Sequence, residues 1–433
     1  MTAAAPIRVL TGIKPSGTPH LGNYVGAIRP TVRASRQPGI DSFLFLADYH
    51  ALISTHDPAR VQRSTLEVAA TWIACGLDPE RVTFYRQSDI PEIPELTWLL
   101  ACVGGKGMLN RAHAYKAAVE LNAAAGREPD DGVSTGLFLY PVLMAADILM
   151  FNAQRVPVGR DQIQHVEMAR DLASSFNHRY GEHFTLPQAE IDEQVATLPG
   201  LDGRKMSKSY DNVIPLFAPR EQLRRLIMSI VTDARAPGEP KPTDGNTIFQ
   251  LYQAFATPEE TAALARDFAA GLAWSEAKER LFERIDREIA PMRTTYDELI
   301  ARPERVEAIL QAGAAKARAI AAPFAQRLRR AVGLRPLTEL TTTPAVAAPV
   351  KAARPLLKQY READGRFYFK LTDARGHVLL QSEGFDSPRA AGQAVARLKA
   401  EGWAACADLH ACMQMHADAA TIEAALAALR DDG

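Results

Sequence analysis

Two short segments of the sequence combine residue types that suit the binding of a nucleotide. The first, TGIKPSGTPHLGN at residues 11–23, joins a predicted strand to a predicted helix and contains three glycines. A glycine-rich turn before a helix lets a phosphate approach backbone N–H groups and the positive end of the helix dipole. The second, GRKMSKSYDN at residues 203–212, groups three cations with two serine hydroxyls, which suits a triphosphate. The alternatives are a simple tight turn and a solvated basic loop.

A third segment, LYPVLMAADILMFNAQRVPVGRDQIQ at residues 139–164, places Asp147 in an apolar helical pattern. A carboxylate in such surroundings is costly unless it has a partner. Asp147 is therefore predicted to accept a hydrogen bond from a buried ligand. The alternatives are an exposed helix position or a salt bridge to an arginine such as Arg155. The run VPVGRDQ predicts a strand, a glycine turn and a helix capped by Asp161, which brings Gln162 to the same cleft.

Short apolar or β-branched runs bounded by turn residues predict the strands that position these segments. Helical patterns such as Pro58–Cys75 lie between them. This alternation predicts an α/β fold with a Rossmann-like, doubly wound parallel sheet. The predicted strands are Ile7–Thr11, Phe43–Ala47, Val82–Gln87 and Arg155–Val158.

Beyond the second nucleotide segment the strand pattern stops, and residues 214–334 are predicted to be all-helical. Leu281, Ile285 and Ile289 recur at helical spacing on one apolar face. Such spacing is typical of helices that bury one side. Two further faces are predicted from Leu223, Leu226, Ile227, Ile230 and Val231, and from Val306, Ile309 and Leu310.

The sequence of the C-terminal part of the chain predicts a linker followed by a separate small ββα domain. Proline, threonine and alanine without periodicity indicate a linker at 335–354. Residues 355–433 contain a predicted hairpin, 365–371 with 377–382, followed by a helix from Ser387 to Lys399. From residue 351 onwards this part holds eleven basic and eleven acidic residues, so its net charge indicates no RNA surface. Protein contact or dimer support is as plausible as RNA binding.

The composition of the chain excludes several classes of protein. A net charge of −1 means that any nucleic-acid binding must come from local basic patches. Neither a long apolar stretch nor a basic leader is present, so we expect no membrane span and a cytoplasmic location. The group Cys406, His410, Cys412 and His416 suggests a metal site, but an alanine-rich helix explains it equally well. No protein metal site is predicted.

The two nucleotide segments resemble the signature motifs of class I aminoacyl-tRNA synthetases. HLGN at residues 20–23 resembles the HIGH motif, and KMSKS at residues 205–209 matches the second motif letter for letter. The blocks GIKPSG, DYHALIS and YPVLMAADIL, with the VPVGRDQIQ run, resemble the bacterial tryptophanyl-tRNA synthetases. This resemblance covers residues 7 to about 334 and implies the same fold and reaction.

The resemblance implies that the chain activates tryptophan with ATP, releasing pyrophosphate, and transfers tryptophan to the 3′ end of tRNA(Trp). ATP would lie between the two motifs, with Mg²⁺ held through the triphosphate and water. The residues expected to be catalytic are Lys205, Lys208, His20 and Gln162. The residues expected to bind ATP are Lys14, Pro15, Ser16, Gly22, Asn23, Arg160, Asp161, Gln162, Val195, Lys205, Met206, Ser207, Lys208 and Ser209.

By the same resemblance, Asp147 accepts the indole N–H of tryptophan. Phenylalanine would leave this buried carboxylate unpaired and would therefore be rejected. The other residues expected around the amino acid are Met144, Tyr140, His50, Val156, Val158 and Gly12. The nearest alternative is a tyrosyl enzyme, and the others are a nucleotidyltransferase and a non-catalytic RNA-binding or regulatory paralogue. The segment around Asp147 argues against a tyrosyl enzyme. The complete KMSKS string argues against a nucleotidyltransferase, and the presence of both motifs intact argues against a non-catalytic paralogue.

The resemblance also implies an organisation into functional parts. Residues 1–213 would form the catalytic domain, which includes an insertion at about 98–136 through which relatives form homodimers. Residues 214–334 would be the anticodon-binding domain. Basic residues that could meet tRNA phosphates there are Arg220, Arg224, Arg225, Arg318, Arg327, Arg329 and Arg330.

Overall fold

The computed structural model describes residues 6–191, 197–338, 354–362 and 364–430. The chain divides into two compact units, Met1–Arg335 and Pro336–Gly433. Most of the predicted linker, at 339–353, lies outside the described residues. Within the described ranges, no helix is long and apolar enough to cross a membrane.

The first unit is built around a five-stranded sheet in which every neighbouring pair of strands is parallel. The predicted Rossmann-like, doubly wound fold is confirmed. The sheet also contains a fifth strand that the sequence did not predict, because its residues, QAE, show no apolar pattern. In the order β3-β2-β1-β4-β5, the strands are β1 (Ile7–Ile13), β2 (Ile40–Leu46), β3 (Thr83–Arg86), β4 (Arg155–Pro157) and β5 (Gln188–Glu190).

The strand order reverses between β1 and β4, and this switch point positions the site. In doubly wound sheets, ligands bind outside the carboxyl ends of the strands at such a point. A π-helical turn at Tyr24–Ile28 and a 3₁₀ turn at Arg160–Gln162 follow these two strands. The surrounding helices are α1 (Leu21–Asn23), α2 (Arg29–Ala34), α3 (Asp48–Ala51), α4 (Pro58–Ala74), α5 (Glu92–Ala101), α6 (Lys106–Leu109), α7 (His113–Ala124), α8 (Thr135–Met150) and α9 (Ile163–Tyr180).

Helix α4 shows why a predicted helix starts where it does. The Asp57 carboxylate accepts hydrogen bonds from the N–H groups of Ala59 and Arg60, and Pro58 occupies the first turn. An N-terminal cap accepts hydrogen bonds from backbone N–H groups that have no partner within the helix. Proline in the first turn costs no hydrogen bond, because an N–H group there would have had no helical partner. The helix therefore begins at the residue that the sequence predicts.

Five more helices follow the sheet: α10 (Arg220–Met228), α11 (Thr247–Phe255), α12 (Pro258–Ala269), α13 (Trp274–Ala301) and α14 (Pro303–Ala331). The predicted stripe of Leu281, Ile285 and Ile289 is fully buried. Ile230 and Val231 both lie beyond the end of α10, so their placement on its face is wrong. Ile230 is nevertheless buried, whereas Val231 has 69% of its surface exposed. One hydrophobic cluster contains residues of both the sheet and these helices. The predicted domain boundary between residues 213 and 214 therefore stays a prediction.

The second unit is a four-stranded antiparallel sheet with two α-helices. The predicted hairpin and its helix are present, as β7 (Phe367–Thr372), β8 (Val378–Ser382) and α15 (Pro388–Glu401). The ββα description was incomplete, because pairing along both edges of the hairpin adds strands whose sequences show little apolar alternation. The added elements are β6 (Leu356–Arg361), β9 (Met413–Met415) and α16 (Ala419–Ala427), in the sheet order β6-β7-β8-β9.

The cysteine and histidine group of this unit has structural contacts. The His410 ring stacks on Trp403 with centroids 3.8 Å apart, and the Cys412 thiol donates to the carbonyl oxygen of Leu409. Their segment, Ala404–Cys412, is helical, as the alternative reading has it, and takes the 3₁₀ form. Among the described residues, no group of three or more His, Cys, Asp or Glu side chains could hold a metal ion.

Candidate active site

His20 caps the first helix after β1 and is fixed by reciprocal hydrogen bonds with Asn23. Its Nδ1 accepts from the Asn23 N–H at 3.3 Å, and Asn23 Oδ1 accepts from the His20 N–H at 3.0 Å. Burial and the positive charge of Lys208 lower the pKa of His20 to about 4. The ring is therefore neutral at pH 7, with its proton on Nε2.

The two nucleotide segments, far apart in sequence, meet at this cap. The Leu21 N–H donates to the carbonyl oxygen of Ile214 at 3.0 Å, which joins the chain after KMSKS to the start of α1. Lys208 Nζ donates to the carbonyl oxygen of Ser16 at 3.3 Å. Gly17 beside it has φ +109°, which a residue with a side chain rarely adopts. One cation of the second segment, Lys208, thus contacts the backbone of the first.

Asn212 holds the KMSKS loop in shape. Its side chain is buried, and Oδ1 accepts from the Ser207 N–H at 2.8 Å. Its Nδ2 donates to Asp202 Oδ1 at 2.7 Å and to the carbonyl oxygen of Lys205 at 3.1 Å. Met206 is buried in the core, while the lysine side chains of the loop are exposed. Sequence reasoning missed Asn212, although its place at the end of the basic segment was visible.

The loop between β1 and His20 presents a further cation. Lys14 Nζ donates to Ser54 Oγ at 2.9 Å, and partial burial lowers the pKa of Lys14. Pro15 is buried beneath it. Gly12 at the end of β1 is required by packing, because a Cβ there would come within 2.5 Å of the Phe45 ring.

Asp147 lies on α8 with no exposed surface, so both alternatives raised for it are wrong. Arg155 instead faces Glu190 at 4.0 Å. The Asp147 carboxylate accepts from Gln87 Nε2 at 2.8 and 2.9 Å and lies 3.0 Å from His50 Nε2. Burial raises the pKa of Asp147, and the hydrogen bonds from His50 and Gln87 oppose that rise. The structure brings His50 against Asp147, a contact that the sequence analysis did not predict, and the roles of both residues toward the amino acid stay predictions.

Two buried residues at the end of β3 were missed by sequence reasoning. Gln87 is wholly buried, and its Oε1 accepts from the Tyr49 N–H at 3.1 Å, which leaves its amino group for Asp147. The Tyr85 hydroxyl is buried without a hydrogen-bond partner, and the Asp147 charge helps to raise its pKa. The available signal was a polar residue at the carboxyl end of a buried parallel strand.

A hydrogen-bonded chain leads from the pocket to the loop after β4. Tyr140 Oη lies 2.7 Å from His165 Nε2, and His165 Nδ1 lies 2.9 Å from Gln162 Oε1. Gln162 Nε2 donates to Asp161 at 2.9 Å. Asp161 lies inside the 3₁₀ turn and Gln162 is the N-cap of α9, so the predicted capping role of Asp161 is wrong. Because the Gln162 oxygen can only accept, His165 donates from Nδ1 and accepts from the Tyr140 hydroxyl. The Tyr140 ring also stands edge-on to His50, with centroids 6.3 Å apart.

The remaining predicted residues differ in exposure. Val156 is buried, and Met144 and Val158 pack against the same hydrophobic cluster. The exposed residues are Arg160, Lys205, Ser16 and Ser209, while Gly22 and Ser207 are half-buried. Val195 lies outside the described residues.

The parallel sheet, with two cationic and glycine-rich motifs meeting at its switch point, defines a class I aminoacyl-tRNA synthetase. Residues 2–289 match the family model for class I tRNA synthetases (W and Y), and the chain belongs to this family.

The similar proteins place it in the tryptophan branch. The Tryptophan--tRNA ligase of Xanthomonas axonopodis pv. citri is 65% identical over 426 residues, 98% of either chain. That of Xylella fastidiosa (strain 9a5c) is 62% identical over 430 residues, 99% of either chain. The tryptophanyl-tRNA synthetase of Campylobacter jejuni, solved with ADP and tryptophan, is 41% identical, with a TM-score of 0.70, over 76% of this chain and 100% of its own. The predicted tryptophan–tRNA ligase activity is confirmed.

Proposed function

We propose that the cleft at the switch point activates tryptophan and that its residues have the roles predicted from the sequence. ATP lies between the loop after β1 and the KMSKS loop, with its phosphates near Lys14, Lys205 and Lys208. The observation that supports this placement is the contact of Lys208 with the Ser16 carbonyl, because it holds both phosphate-binding segments at one place.

In the first step, a carboxylate oxygen of tryptophan attacks the α-phosphorus of ATP. The bond from the α-phosphorus to the bridging oxygen breaks, and pyrophosphate leaves with the bonding electrons. Such a transfer depends on positioning and charge neutralisation, so it needs no protein base. Lys205 and Lys208 neutralise the leaving group, and His20 and Gln162 position the reactants. A terminal ribose hydroxyl of tRNA(Trp) then attacks the adenylate carbonyl carbon. The bond from that carbon to the phosphate oxygen breaks, AMP leaves with the bonding electrons, and the hydroxyl proton is lost to solvent.

Mg²⁺ fits this site as a partner of the triphosphate. The described residues offer lysines there rather than a cluster of carboxylates. Mg²⁺ keeps several waters and is commonly held by substrate phosphates, so phosphates and water would supply its ligands. The metal would add positive charge to the triphosphate.

Tryptophan recognition rests on Asp147, which accepts the indole N–H. Gln87 and His50 keep this carboxylate in place by donating to it. The walls of the pocket are formed by Tyr140, Met144, Val156 and Val158. Gly12 has no side chain and so leaves the entrance of the pocket open. Phenylalanine has no donor, so the buried carboxylate would receive no hydrogen bond from it. Tyrosine would have to place its hydroxyl where the indole nitrogen fits.

The partners are tRNA(Trp), bound through residues 214–334, and a second copy of the chain. Trp98 and Leu121 support the homodimer, because both are about 70% exposed within the predicted interface at 98–136. Several of the basic residues predicted to contact tRNA phosphates form ion pairs within the chain. Arg225 is therefore a better candidate for contacting a tRNA phosphate. The paired arginines are Arg220, Arg224, Arg318 and Arg329. We expect the enzyme to work in the cytoplasm.

The test is ATP–pyrophosphate exchange with each of the twenty amino acids, on wild type and Asp147→Ala. Asp171→Ala removes an exposed carboxylate from α9 and serves as the control. We expect exchange with tryptophan alone, its loss in Asp147→Ala and no change in the control. Exchange with tyrosine would overturn the pocket assignment. Wild-type tryptophan exchange that survives in Asp147→Ala would overturn the role of that carboxylate.

A further inference from the structure

Among the described residues of the second unit, α15 and α16 pack on one face of the sheet, and no helix covers the other face of β6 and β7. Phe369 and Leu371 of β7 point into the cluster formed with α15 and α16. Residues that alternate with them lie on the opposite face. In the register of β6 and β7, Lys358 stands directly opposite Lys370, and Tyr360 stands directly opposite Tyr368. This outer face therefore carries two lysines beside two tyrosines.

The two tyrosines form an ordered aromatic platform. Their rings stack with centroids 5.8 Å apart and planes 21° apart. The Tyr368 hydroxyl donates to Asp364 at 2.6 Å, and a Cβ at Gly384 would come within 2.9 Å of its ring. Lys370 Nζ lies 5.7 Å from the centre of the Tyr360 ring. These contacts fix the rings before any ligand arrives.

The lysines of this face lack carboxylate partners. Like charges directly opposite each other destabilise a pair of strands, so an anion over this face would relieve their repulsion. Neither Lys358 nor Lys370 forms an ion pair in the part of the chain that the structure describes. Three of the described acidic side chains lie near this face. Asp364 accepts from the Tyr368 hydroxyl, and Asp386 pairs with Arg366. The Glu362 carboxylate lies near both tyrosines.

We propose that this outer face, made by Lys358, Tyr360, Tyr368 and Lys370, binds a single-stranded segment of the tRNA. Single-stranded nucleic acids are bound by aromatic rings that stack on bases and by cations that follow the phosphates. One base stacks on Tyr360, and the flanking phosphates contact the two lysines. The balanced charge of the unit as a whole does not reveal that two lysines stand together on this face. The proposal rests on tRNA as the substrate.

The test uses the full chain with Lys358→Glu/Lys370→Glu and, separately, Tyr360→Leu, which keeps an apolar side chain but removes the ring. Arg389→Glu/Lys399→Glu is the matched control, because it makes the same charge change on exposed residues of α15. The affinity for tRNA(Trp) is measured by fluorescence anisotropy from 50 to 300 mM salt. Aminoacylation and tryptophan-dependent exchange are measured in parallel, and circular dichroism checks folding.

We expect the lysine variant to weaken tRNA binding by about tenfold and to reduce the salt slope by roughly 1.4, since each phosphate contact contributes about 0.7. Tyr360→Leu should weaken binding by about tenfold without changing that slope. The KM for tRNA should rise in both variants, while exchange stays at the wild-type rate. Lys358→Gln/Lys370→Gln provides a milder change if charge reversal impairs folding.

Unchanged tRNA affinity in the folded variants would overturn the proposal, and so would an equal loss in the α15 control. A variant that alters self-association or protein binding while tRNA affinity stays constant would assign this face to a protein and also overturn it. Failure of wild type to exchange or aminoacylate would instead count against the proposed function, so the two failures are distinguishable.

Discussion

The Nε2 of Gln87 donates to both oxygens of the Asp147 carboxylate, at 2.8 and 2.9 Å, and neither side chain is exposed to solvent. A buried carboxylate remains charged only where donors replace its lost water. Gln87 therefore helps to keep Asp147 in the form that can accept the indole N–H.

Gln87→Met should make tryptophan activation more sensitive to acid. Burial raises the pKa of Asp147 and the Gln87 hydrogen bonds counter the rise, so their loss raises that pKa further. Protonation below the pKa removes the acceptor, and the acidic limb of the kcat/KM profile for tryptophan should move to higher pH. At pH 7, kcat/KM should fall about tenfold, as expected for a hydrogen bond to a charged group. A limb at the wild-type position would contradict this role. Asp147→Asn, which cannot titrate, should lack the limb.

His20→Asn should make stability less dependent on pH. Burial and Lys208 lower the pKa of His20 from its ordinary 6.5 to about 4. Between these values the unfolded chain binds a proton that the folded chain excludes, so stability falls as pH falls through this window. Asparagine keeps the helix cap but removes the titration. The free energy of unfolding is measured with denaturant from pH 4 to 7. Its slope against pH should be steeper for wild type than for His20→Asn, by up to about 1.4 kcal/mol per pH unit. Parallel slopes would count against a buried neutral imidazole.

Lys208→Met should slow adenylate formation without loosening tryptophan. Removing one preorganised group that stabilises developing charge commonly costs about 10²- to 10³-fold in rate. Arg204→Met is the control, because Arg204 is on the same loop but its guanidinium is paired with Asp202 at 2.6 Å. Single-turnover adenylate formation and equilibrium tryptophan binding separate the two effects. Equal rate losses in both variants would argue against a special role for Lys208.

Asn212→Ala should lower kcat through the shape of the KMSKS loop. The buried amide satisfies the Ser207 N–H and the Lys205 carbonyl, and its loss leaves both without that partner. We expect a stability loss of about 1–3 kcal/mol. The kcat for exchange should fall while the KM for tryptophan stays constant. Asn212→Asp keeps an acceptor for Ser207 but turns a carboxylate oxygen toward Asp202 and the Lys205 carbonyl, so we expect no recovery of the rate. A wild-type rate in Asn212→Asp would contradict a role for the donated hydrogen bonds.

Gly313→Ala should destabilise the first unit. Helix α14 lies so close to β3 that a Cβ at Gly313 would overlap the carbonyl oxygen of Phe84. Overpacking of this kind costs about 1–3 kcal/mol or more. Gly105→Ala is the control, since nothing lies within 4 Å of a Cβ there. Thermal unfolding should show a lower Tm for the Gly313 variant alone. Equal Tm values would mean that α14 can move away from β3.

The elements that sequence reasoning missed share a physical cause. Strand β5 (QAE) and strand β9 (MQM) contain no run of apolar or β-branched residues, and they exist because each pairs with a neighbouring strand. Gln87 and His165 are polar residues within apolar surroundings, and nothing next to them in sequence identifies their partners. Asn212 follows a recognised motif, but its hydrogen bonds return to Lys205 and Ser207 within that motif and to Asp202 before it.

By itself the sequence determined the class of enzyme, its amino acid and the first four strands of the parallel sheet. These follow from continuous strings such as KMSKS, and from apolar runs whose spacing reveals which residues are buried. Only the tertiary structure decided that Gln87 supports Asp147, that Lys208 reaches the Ser16 carbonyl and that α14 covers β3. Periodicity indicates which side of a helix or strand is buried. It does not indicate which distant residue lies against that side, because chain folding alone brings the two together.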